Sequence, residues 1–272
     1  MSDRLRFTIL GCGSSPGVPR ITGDWGACDP ANPKNRRMRA SALFERIKPD
    51  GRRTTVVIDT GPDFRSQMLM AGVKRIDAVL YTHPHADHIH GIDDLRGYVL
   101  EQKRLIDIYA DDFTMTRLRE AFGYCFTTPS GSSYPPILWA RKIDHDRAIS
   151  IEGEGGMLHF EPLPQRHGDI TSLGFRVDAI AYCPDVSTFP ESTVARLHGL
   201  DLLVIDALQY RQHPSHFSFG EALEWIERLQ PHNAVLTHMH IPLDYETVLG
   251  QVPDHVQPAY DGLVFEFPII SG

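Results

Sequence analysis

The sequence predicts an α/β layered fold, because short apolar runs alternate with helical stretches along its 272 residues. The apolar runs are rich in Val, Ile and Leu and show little polar alternation, as expected for strands buried on both faces. These runs are LRFTIL, TTVVID, IDAVLYT, DLLVID and NAVLT. The helical stretches are PDFRSQMLMAG, DDFTMTRLREAFGY, STVARLHG and FGEALEWIERL. Such alternation is typical of layered α/β proteins, and the length predicts a single domain over residues 1–272.

Taken in chain order, the predicted strands end at polar or Gly-rich segments. LRFTIL leads into GCGSSPGVPR, TTVVID into TGPDF, and IDAVLYT directly into THPHADHIHG. DLLVID leads into ALQYRQHPSHF, and NAVLT into HMHIP. The Ser/Pro/Gly-rich stretch at 127–136 is interpreted as an insertion or an active-site flap. Because α/β proteins commonly gather polar ligands at one rim of a sheet, we expect a site where these strands end.

Composition narrows the classes of partner. The formal net charge of −8 argues against a broad basic face for duplex DNA or for an anionic membrane. The N-terminal stretch has no apolar run of signal-peptide length, and no stretch approaches a membrane span. The four cysteines are far apart and form no C-x-x-C pair, which argues against a disulfide framework and favours the cytoplasm.

The stretch THPHADHIHG, residues 82–91, contains four His and one Asp. Its spacing is H-x-H-x-D-H, and imidazole with carboxylate is a preferred ligand set for zinc and related divalent ions. His83 and His85 are two residues apart, so an extended backbone directs both to one side. Asp87 and His88 follow on a turn. His90 is expected to be a supporting or structural residue.

This cluster alone cannot hold two ions, because a catalytic ion usually takes three protein ligands. Further donors follow later apolar runs and are expected in turns at strand ends. They are His167 in PLPQRHGDITSLGF, Asp185 in IAYCPDVST and His238 in AVLTHMH. A solvated His-rich loop is the alternative, and it would not explain these later matches.

The full ordered pattern resembles the metallo-β-lactamase superfamily over nearly the whole chain. The resemblance implies a four-layer αββα sandwich with two mixed sheets and a two-metal centre containing Zn²⁺ or Mn²⁺. It implies a structural role for Asp59 in VVIDTG and a bridging hydroxide that attacks the substrate. By position, the first ion would be bound by His83, His85 and His167, the second by Asp87, His88 and His238, and both by Asp185.

The opening ILGCGSSPGVPR resembles the phosphodiesterase branch, which includes PhnP-type enzymes and, more distantly, ribonuclease Z. The stretch HFSFGEAL, 216–223, resembles their H-x-[ST]-x-x-x-A element, with its His at His216. We predict that Asp206 orients His216, which then acts as a general acid. The alternative is that Ser218 only caps a helix and His216 lies on the surface. His213 is a rival for the catalytic role and is interpreted as a loop residue.

Two features depart from or add to the family pattern. PhnP-type enzymes often hold a structural zinc with several Cys after the Gly-rich opening, whereas the loop here has only Cys28. Cys28 and His240 do not complete a tetrahedral site, so we predict that this third metal is absent. The run KNRRMR, with Arg36, Arg37 and Arg39, is either a phosphate or dimer contact or a solvated loop.

The function expected from this pattern is hydrolysis of a small cyclic phosphate or a nucleotide-type phosphodiester by a metal-dependent enzyme. Two alternatives remain open from the sequence. One is a lactone or thioester hydrolase of the same superfamily, and the other is a non-catalytic nucleotide-binding protein. The resemblance also implies a homodimer. No Gly- and Lys-rich insertion resembling the tRNA-gripping arm of ribonuclease Z is present.

Overall fold

The computed structural model describes residues 2–269, and within them two mixed β-sheets of seven strands each. The first sheet has the order β14-β1-β2-β3-β4-β5-β6. Its strands are β1 Arg4–Gly11, β2 Ser41–Ile47, β3 Arg53–Ile58, β4 Ala78–Leu80, β5 Ile106–Ala110, β6 Leu138–Lys142 and β14 Val264–Pro268. The second sheet has the order β13-β12-β11-β10-β9-β8-β7. Its strands are β7 Ile149–Gly153, β8 Gly156–His167, β9 Ile170–Val177, β10 Ile180–Cys183, β11 Leu202–Asp206, β12 Asn233–Thr237 and β13 Val256–Pro258.

Seven α-helices lie within the described residues. They are α1 Phe64–Ala71, α2 Ala86–Ile89, α3 Leu95–Gln102, α4 Asp112–Phe126, α5 Glu191–Val194, α6 Phe219–Leu229 and α7 Tyr245–Leu249. All five predicted strands and all four predicted helices are confirmed, although only residues 192–194 of STVARLHG are helical, within the four-residue α5. No helix within residues 2–269 is long and apolar enough to span a membrane.

The described chain divides into two compact units. The first comprises residues 2–10, 41–159 and 264–269, and the second comprises residues 11–40 and 160–263. The prediction of a single domain therefore stays a prediction.

In the first unit, β3, β4, β5 and β6 are parallel neighbours. Their side chains pack on α1, α3 and α4, with Val57, Val79, Ile108 and Leu118 among the buried residues of this core. Burying each such side chain stabilises the fold by about 1.5–3 kcal/mol before the entropy cost of ordering it. Because parallel strands end at the same edge, the residues following β3 and β4 are brought close together.

In the second unit, β10, β11, β12 and β13 are parallel neighbours. Strand β9 is antiparallel to both β8 and β10, so β8 runs in the same direction as β10. The carboxyl ends of β8, β10, β11 and β12 therefore lie at one edge. The polar residues at or just after these ends are His167, Asp185, Asp206 and His238.

Candidate metal centre

The first unit carries the H-x-H-x-D-H segment directly after β4. His83 and His85 precede the one-turn helix α2, which contains Asp87 and His88. His83 Nε2 lies 2.9 Å from His85 Nδ1, and the ring centroids of His83 and His88 are 4.2 Å apart. His83 and His88 are fully buried, whereas His85 is exposed. The structure thus brings the predicted donors of this segment together.

Asp59 fixes one end of this cluster. Its buried carboxylate accepts hydrogen bonds from the Thr82 backbone N–H at 2.8 Å, from Thr82 Oγ1 at 2.7 Å and from His88 Nδ1 at 2.7 Å. Burial raises the pKa of Asp59, and the neighbouring His88 acts in the opposite direction. Because His88 donates its Nδ1 hydrogen bond to Asp59, Nε2 is the ring nitrogen that can bind a metal.

Thr82 orients His83 in the same way and was not identified from the sequence. Thr82 Oγ1 donates to Asp59, so its oxygen lone pair accepts the proton of His83 Nδ1 at 2.9 Å. His83 Nε2 is then directed toward the cluster. The sequence signal for this role was a threonine directly before H-x-H-x-D-H. A threonine at that position indicates an orienting role only when Asp59 is known to lie beside it.

Gly91 is the last residue of the segment, and a side chain does not fit at this position. A Cβ at this position would lie 2.2 Å from the Gly61 carbonyl oxygen, in the segment that follows β3. His90 is exposed, and its ring lies edge-on to Phe122 at 5.7 Å. This fits the structural role expected for His90.

The second unit supplies the other predicted donors, all buried. His167 Nε2 lies 4.0 Å from Asp185 Oδ1, and His238 Nδ1 lies 3.3 Å from Asp185 Oδ2. His167 Nδ1 donates to the Ser215 carbonyl at 2.6 Å, which leaves Nε2 on the Asp185 side. Ligand atoms of His167, Asp185 and His216 all lie within 4.8 Å of one another. Imidazole and carboxylate are thus brought together in this unit as well.

Backbone conformation distinguishes three of the residues in these clusters. Asp59, Asp185 and His238 have φ values of 63°, 52° and 58°, in the left-handed region. Each follows a strand end within two residues. Asp, Asn and His enter this region more readily than other residues with a side chain, and the strain it costs is typical of functional sites.

His216 and Asp206 form the predicted pair. His216 Nδ1 donates to Asp206 Oδ2 at 2.7 Å, and the same oxygen accepts the Val186 backbone N–H at 2.9 Å. Asp206 is fully buried, which raises its pKa, while His216 counteracts that shift. The His216 ring stacks on His238 at 4.7 Å and lies edge-on to His167 at 4.6 Å.

The alternative interpretation of this segment concerns Ser218 and His216, and both residues have defined contacts. Ser218 forms a capping box with Glu221 at the start of α6. The His216 side chain is only 11% exposed and contacts Asp206. His213 lies nearby, with ring centroids 5.2 Å apart, and its Nδ1 contacts Ser215. Burial lowers the pKa of His213, and the nearby His216 lowers it further.

Cys28 and His240 have partners that do not fit a third metal. The buried Arg37 guanidinium contacts Cys28 Sγ at 3.8 Å and donates to the carbonyl oxygens of His240 at 3.4 Å and Leu243 at 2.6 Å. A cation therefore occupies the place next to the thiol. Burial raises the pKa of the Cys28 thiol, whereas a metal would need the thiolate.

The ring of His240 is also fully engaged. Its Nδ1 lies 2.8 Å from Ser14 Oγ, and its Nε2 lies 2.6 Å from Arg20 Nη2. Burial lowers the pKa of His240, and the Arg20 guanidinium lowers it further. The absence of a third metal nevertheless stays a prediction.

Most of the run KNRRMR has structural contacts. Arg37 is buried, Arg36 lies over the Trp25 ring at 5.2 Å, and Lys34 lies over the Tyr245 ring at 4.2 Å. These cation–π contacts tie the run to its own unit. Arg37 is thus a structural residue of its unit, and a phosphate or dimer contact by the rest of the run stays a prediction.

The donor sets of the two units match the chemistry of divalent metal binding. Each combines imidazole nitrogens with a carboxylate, and hydrogen bonds to Asp59, Thr82 and the Ser215 carbonyl select the ring nitrogen left for a metal. Such outer partners are usual for ligating histidines. The residues present therefore fit metal ions, and the number and identity of the ions belong to the proposal below.

Comparisons with known proteins identify the family of the chain. The sequence model of the beta-lactamase superfamily domain matches residues 54–239. A solved structure described as a new diphosphatase from the PhnP family is 36% identical, with a TM-score of 0.86, and the match covers 97% of each chain. The metallo-beta-lactamase fold protein YhfI from Bacillus subtilis is 20% identical, with a TM-score of 0.71, over 97% of this chain and 100% of YhfI. At that identity, YhfI supports the fold alone.

A curated relative is the octanoyltransferase of Porphyromonas gingivalis, which is 33% identical over 264 residues. The match covers 95% of this chain and 51% of the relative, so the chain spans about half the length of that protein. The predicted fold class, α/β with two mixed sheets, is confirmed. The chain therefore belongs to the metallo-β-lactamase superfamily, in the branch that includes the PhnP family.

Proposed function

We propose that this protein is a metal-dependent hydrolase, a phosphodiesterase that cleaves a small cyclic phosphate or a nucleotide-type phosphodiester. The observation that carries the proposal is His216, held by the buried Asp206 and stacked on the predicted ligand His238. A positioned acid beside the ligands is what cleavage to a poor alkoxide leaving group requires. The 36% identity to a PhnP-family diphosphatase over 97% of the chain supports phosphorus as the reacting centre.

Two divalent ions, Zn²⁺ or Mn²⁺, are proposed per chain. We assign His83, His85 and His167 to the first ion and Asp87, His88 and His238 to the second, with Asp185 shared by both. The buried imidazole and carboxylate groups of each unit support this assignment. When bound, the ions polarise the phosphoryl oxygen and make water acidic enough to attack near neutral pH.

The residues of the chain itself hold and move the proton. Asp206 accepts the His216 Nδ1–H, which directs Nε2 away from the buried carboxylate. A carboxylate partner favours the imidazolium form, so His216 can carry the proton that the leaving oxygen needs. As the leaving group departs in line, its alkoxide oxygen takes that proton from His216 Nε2. Asp59 and Thr82 keep His88 and His83 in the tautomers described above.

A leaving-group comparison tests this role. His216→Ala should lower turnover of an alkyl phosphodiester by about 10²–10⁴-fold, the usual contribution of a general acid. The loss on bis(p-nitrophenyl) phosphate should be much smaller, because p-nitrophenolate leaves without a proton. His213→Ala is the matched control and should change neither rate. Unchanged turnover of the alkyl diester in His216→Ala, with metal content retained, would reject the role.

The first assay is hydrolysis of bis(p-nitrophenyl) phosphate by Mn²⁺- or Zn²⁺-loaded enzyme, beside its His83→Ala variant. We expect activity in the unmutated enzyme and loss in the variant, because a ligand is removed. A screen of cyclic ribose phosphates and nucleotide diesters would follow. No activity in either protein, with two metals bound to the unmutated one, would contradict phosphodiester cleavage.

A second candidate is hydrolysis of a thioester or lactone. It is favoured by the 33% identity to a relative named as an octanoyltransferase, although that protein is about twice as long. Octanoyl thioester or lactone turnover exceeding that of any phosphodiester, and dependent on His83, would support this candidate. The cytoplasmic location and the homodimer stay predictions.

A further inference from the structure

We propose that Gln165 and Ser172 are positioning residues, which hold Asp185 in the conformation that lets two metal ions share its carboxylate. The inference rests on the two-ion assignment of the proposed function. It adds to that assignment two residues that belong to none of the recognised motifs. All the contacts that carry it lie in the second unit, near the carboxyl ends of β8 and β10.

The carboxylate of Asp185 faces one predicted ligand of each ion. Its Oδ1 lies 4.0 Å from His167 Nε2, and its Oδ2 lies 3.3 Å from His238 Nδ1. The residue is buried, and its φ of 52° lies in the left-handed region. A residue with a side chain adopts that conformation only at a cost, so the surrounding contacts must hold it there. The orientation that a shared ligand needs is therefore one that the turn after β10 does not favour by itself.

Side chains hold both of the peptide groups that flank the Asp185 Cα atom. Gln165 Nε2 donates to the Pro184 carbonyl oxygen, which belongs to the peptide group before Asp185. Ser172 Oγ donates to the Asp185 carbonyl oxygen at 2.7 Å, and Gln165 Nε2 lies 3.5 Å from the same oxygen. Because each peptide group is planar, fixing both groups fixes φ and ψ of the residue between them. Gln165 and Ser172 thus set the direction of the Cα–Cβ bond of Asp185.

The peptide group after Asp185 is also held at its N–H end. The Val186 N–H donates to Asp206 Oδ2 at 2.9 Å, and the same oxygen accepts the His216 Nδ1–H at 2.7 Å. This one peptide group therefore lies between the Ser172 hydroxyl and the Asp206 carboxylate. A shift of the group would move the predicted shared ligand and disturb the support of the proposed general acid together.

Gln165 and Ser172 are polar residues in a fully buried position. Both are 0% exposed, and they are register partners on the antiparallel strands β8 and β9. The Gln165 amide nitrogen faces the two carbonyl oxygens, whereas its Oε1 has no hydrogen-bond partner within residues 2–269. Gly174 leaves room for this amide, since a Cβ there would lie 3.0 Å from Gln165 Oε1. An amide that is buried with its oxygen unpaired indicates that its N–H contacts are needed at this place.

Manganese binding to the chelator-treated enzyme tests the proposal. Ser172→Ala removes the hydroxyl, and Gln165→Met removes the amide donors at nearly the same side-chain length. Each change should weaken Mn²⁺ binding in calorimetry by about 10–100-fold, the usual effect of removing a group that orients a ligand. Electron paramagnetic resonance of the Mn²⁺-saturated proteins supplies a second measurement. The unmutated enzyme should show the coupled signal of a bridged pair, and the variants should show a larger share of isolated ions.

Thr193→Val is the matched control. Thr193 is also 0% exposed in the same unit, and its Oγ1 donates to the Pro164 carbonyl oxygen, directly before Gln165 in β8. The substitution therefore takes a buried hydroxyl from a backbone carbonyl that does not belong to the Asp185 turn. It should lower the melting temperature of the metal-free protein much as Ser172→Ala does. Mn²⁺ affinity and the coupled signal should stay as in the unmutated enzyme.

Each outcome has a definite meaning, and either folded variant is sufficient for the comparison. Unchanged Mn²⁺ affinity and an unchanged coupled signal would overturn the proposal. Equal weakening by Thr193→Val would also overturn it, because that pattern indicates a general loss of rigidity. One ion per chain in the unmutated enzyme would reject the shared role of Asp185, and the proposal with it. Two bound ions without cleavage of any phosphodiester would reject the proposed function, whereas the Mn²⁺ measurements would still decide the role of Gln165 and Ser172.

Discussion

At the scale of single residues, two adjacent arginines have opposite environments. Arg37 is buried and donates to the carbonyl oxygens of His240 and Leu243 and to Asn35 Oδ1, whereas Arg36 is exposed over Trp25. Arg37→Ala should lower the free energy of unfolding by about 2–4 kcal/mol, because several buried acceptors lose their donor. Arg36→Ala should change it by less than about 0.5 kcal/mol. Denaturant titration of both variants measures this, and equal effects would contradict it.

Asp261 predicts a pH dependence of stability. Its carboxylate accepts the backbone N–H groups of Met38 at 2.7 Å and Cys12 at 3.1 Å, yet burial raises the pKa of Asp261 to about 7. In the unfolded chain the pKa is about 3.9. Between these two pKa values, the folded state binds more protons than the unfolded state does. The stabilisation is therefore complete below about pH 4 and is lost as the pH rises through 7.

The variant Asp261→Asn does not titrate and isolates this contribution. The unfolding free energy of the unmutated protein minus that of the variant should fall by about 2–3 kcal/mol between pH 5 and pH 8, since one pKa unit is worth about 1.4 kcal/mol. Urea unfolding at the two pH values measures the difference. A constant difference, or one that grows with pH, would show that the pKa of Asp261 is not raised.

Residue patterns predicted the donors more completely than the groups that orient them. The donors carry a recognisable spacing at His83, His85, Asp87 and His88. Their partners include a Thr82 hydroxyl and a Ser215 backbone carbonyl, which belong to no motif. Which carbonyl faces which imidazole depends on how strand ends pack in three dimensions, and this is not encoded in local spacing.

At the scale of elements, the start of helix α6 depends on a reciprocal cap. Glu221 N–H donates to Ser218 Oγ at 3.3 Å, and the Glu221 side chain accepts the Ser218 N–H at 2.9 Å. Ser218→Ala should destabilise the protein by about 0.5–2 kcal/mol. Thr116→Ala, on the exposed face of α4, is the control and should be neutral or slightly stabilising, since Ala is the better helix former. Thermal unfolding of both variants measures the two effects on stability. A Ser218→Ala variant that is as stable as the unmutated protein would contradict the role of the cap.

Apolar runs predicted β1 and four of the eight strands that have parallel neighbours, namely β3, β4, β11 and β12, whereas most antiparallel strands escaped prediction. Strand β8 contains Pro162 and Pro164, and β2 contains Glu45 and Arg46, so neither has a continuous apolar run. Helix α3 includes Gly97, which weakens its helical signal. These elements form because long-range pairing and burial outweigh local preference.

At the scale of the whole molecule, metal content is the decisive quantity. We expect two divalent ions per chain, and Cys28→Ser should leave that count unchanged, because Arg37 occupies the position beside the thiol. A chelator should lower the melting temperature, since ions that bind only the folded chain stabilise it by mass action. Elemental analysis and calorimetry measure both quantities. Three ions per chain, or two that fall to one in Cys28→Ser, would contradict this account.

The left-handed backbone at Asp59, Asp185 and His238 has a consequence for laboratory evolution of the centre. Residues branched at Cβ are strongly disfavoured in that conformation. Libraries at these positions should thus yield folded proteins mainly with Asp, Asn, His or Gly. His83, His85 and His167 have no such restriction, so selection for a different metal preference would advance first through those three positions.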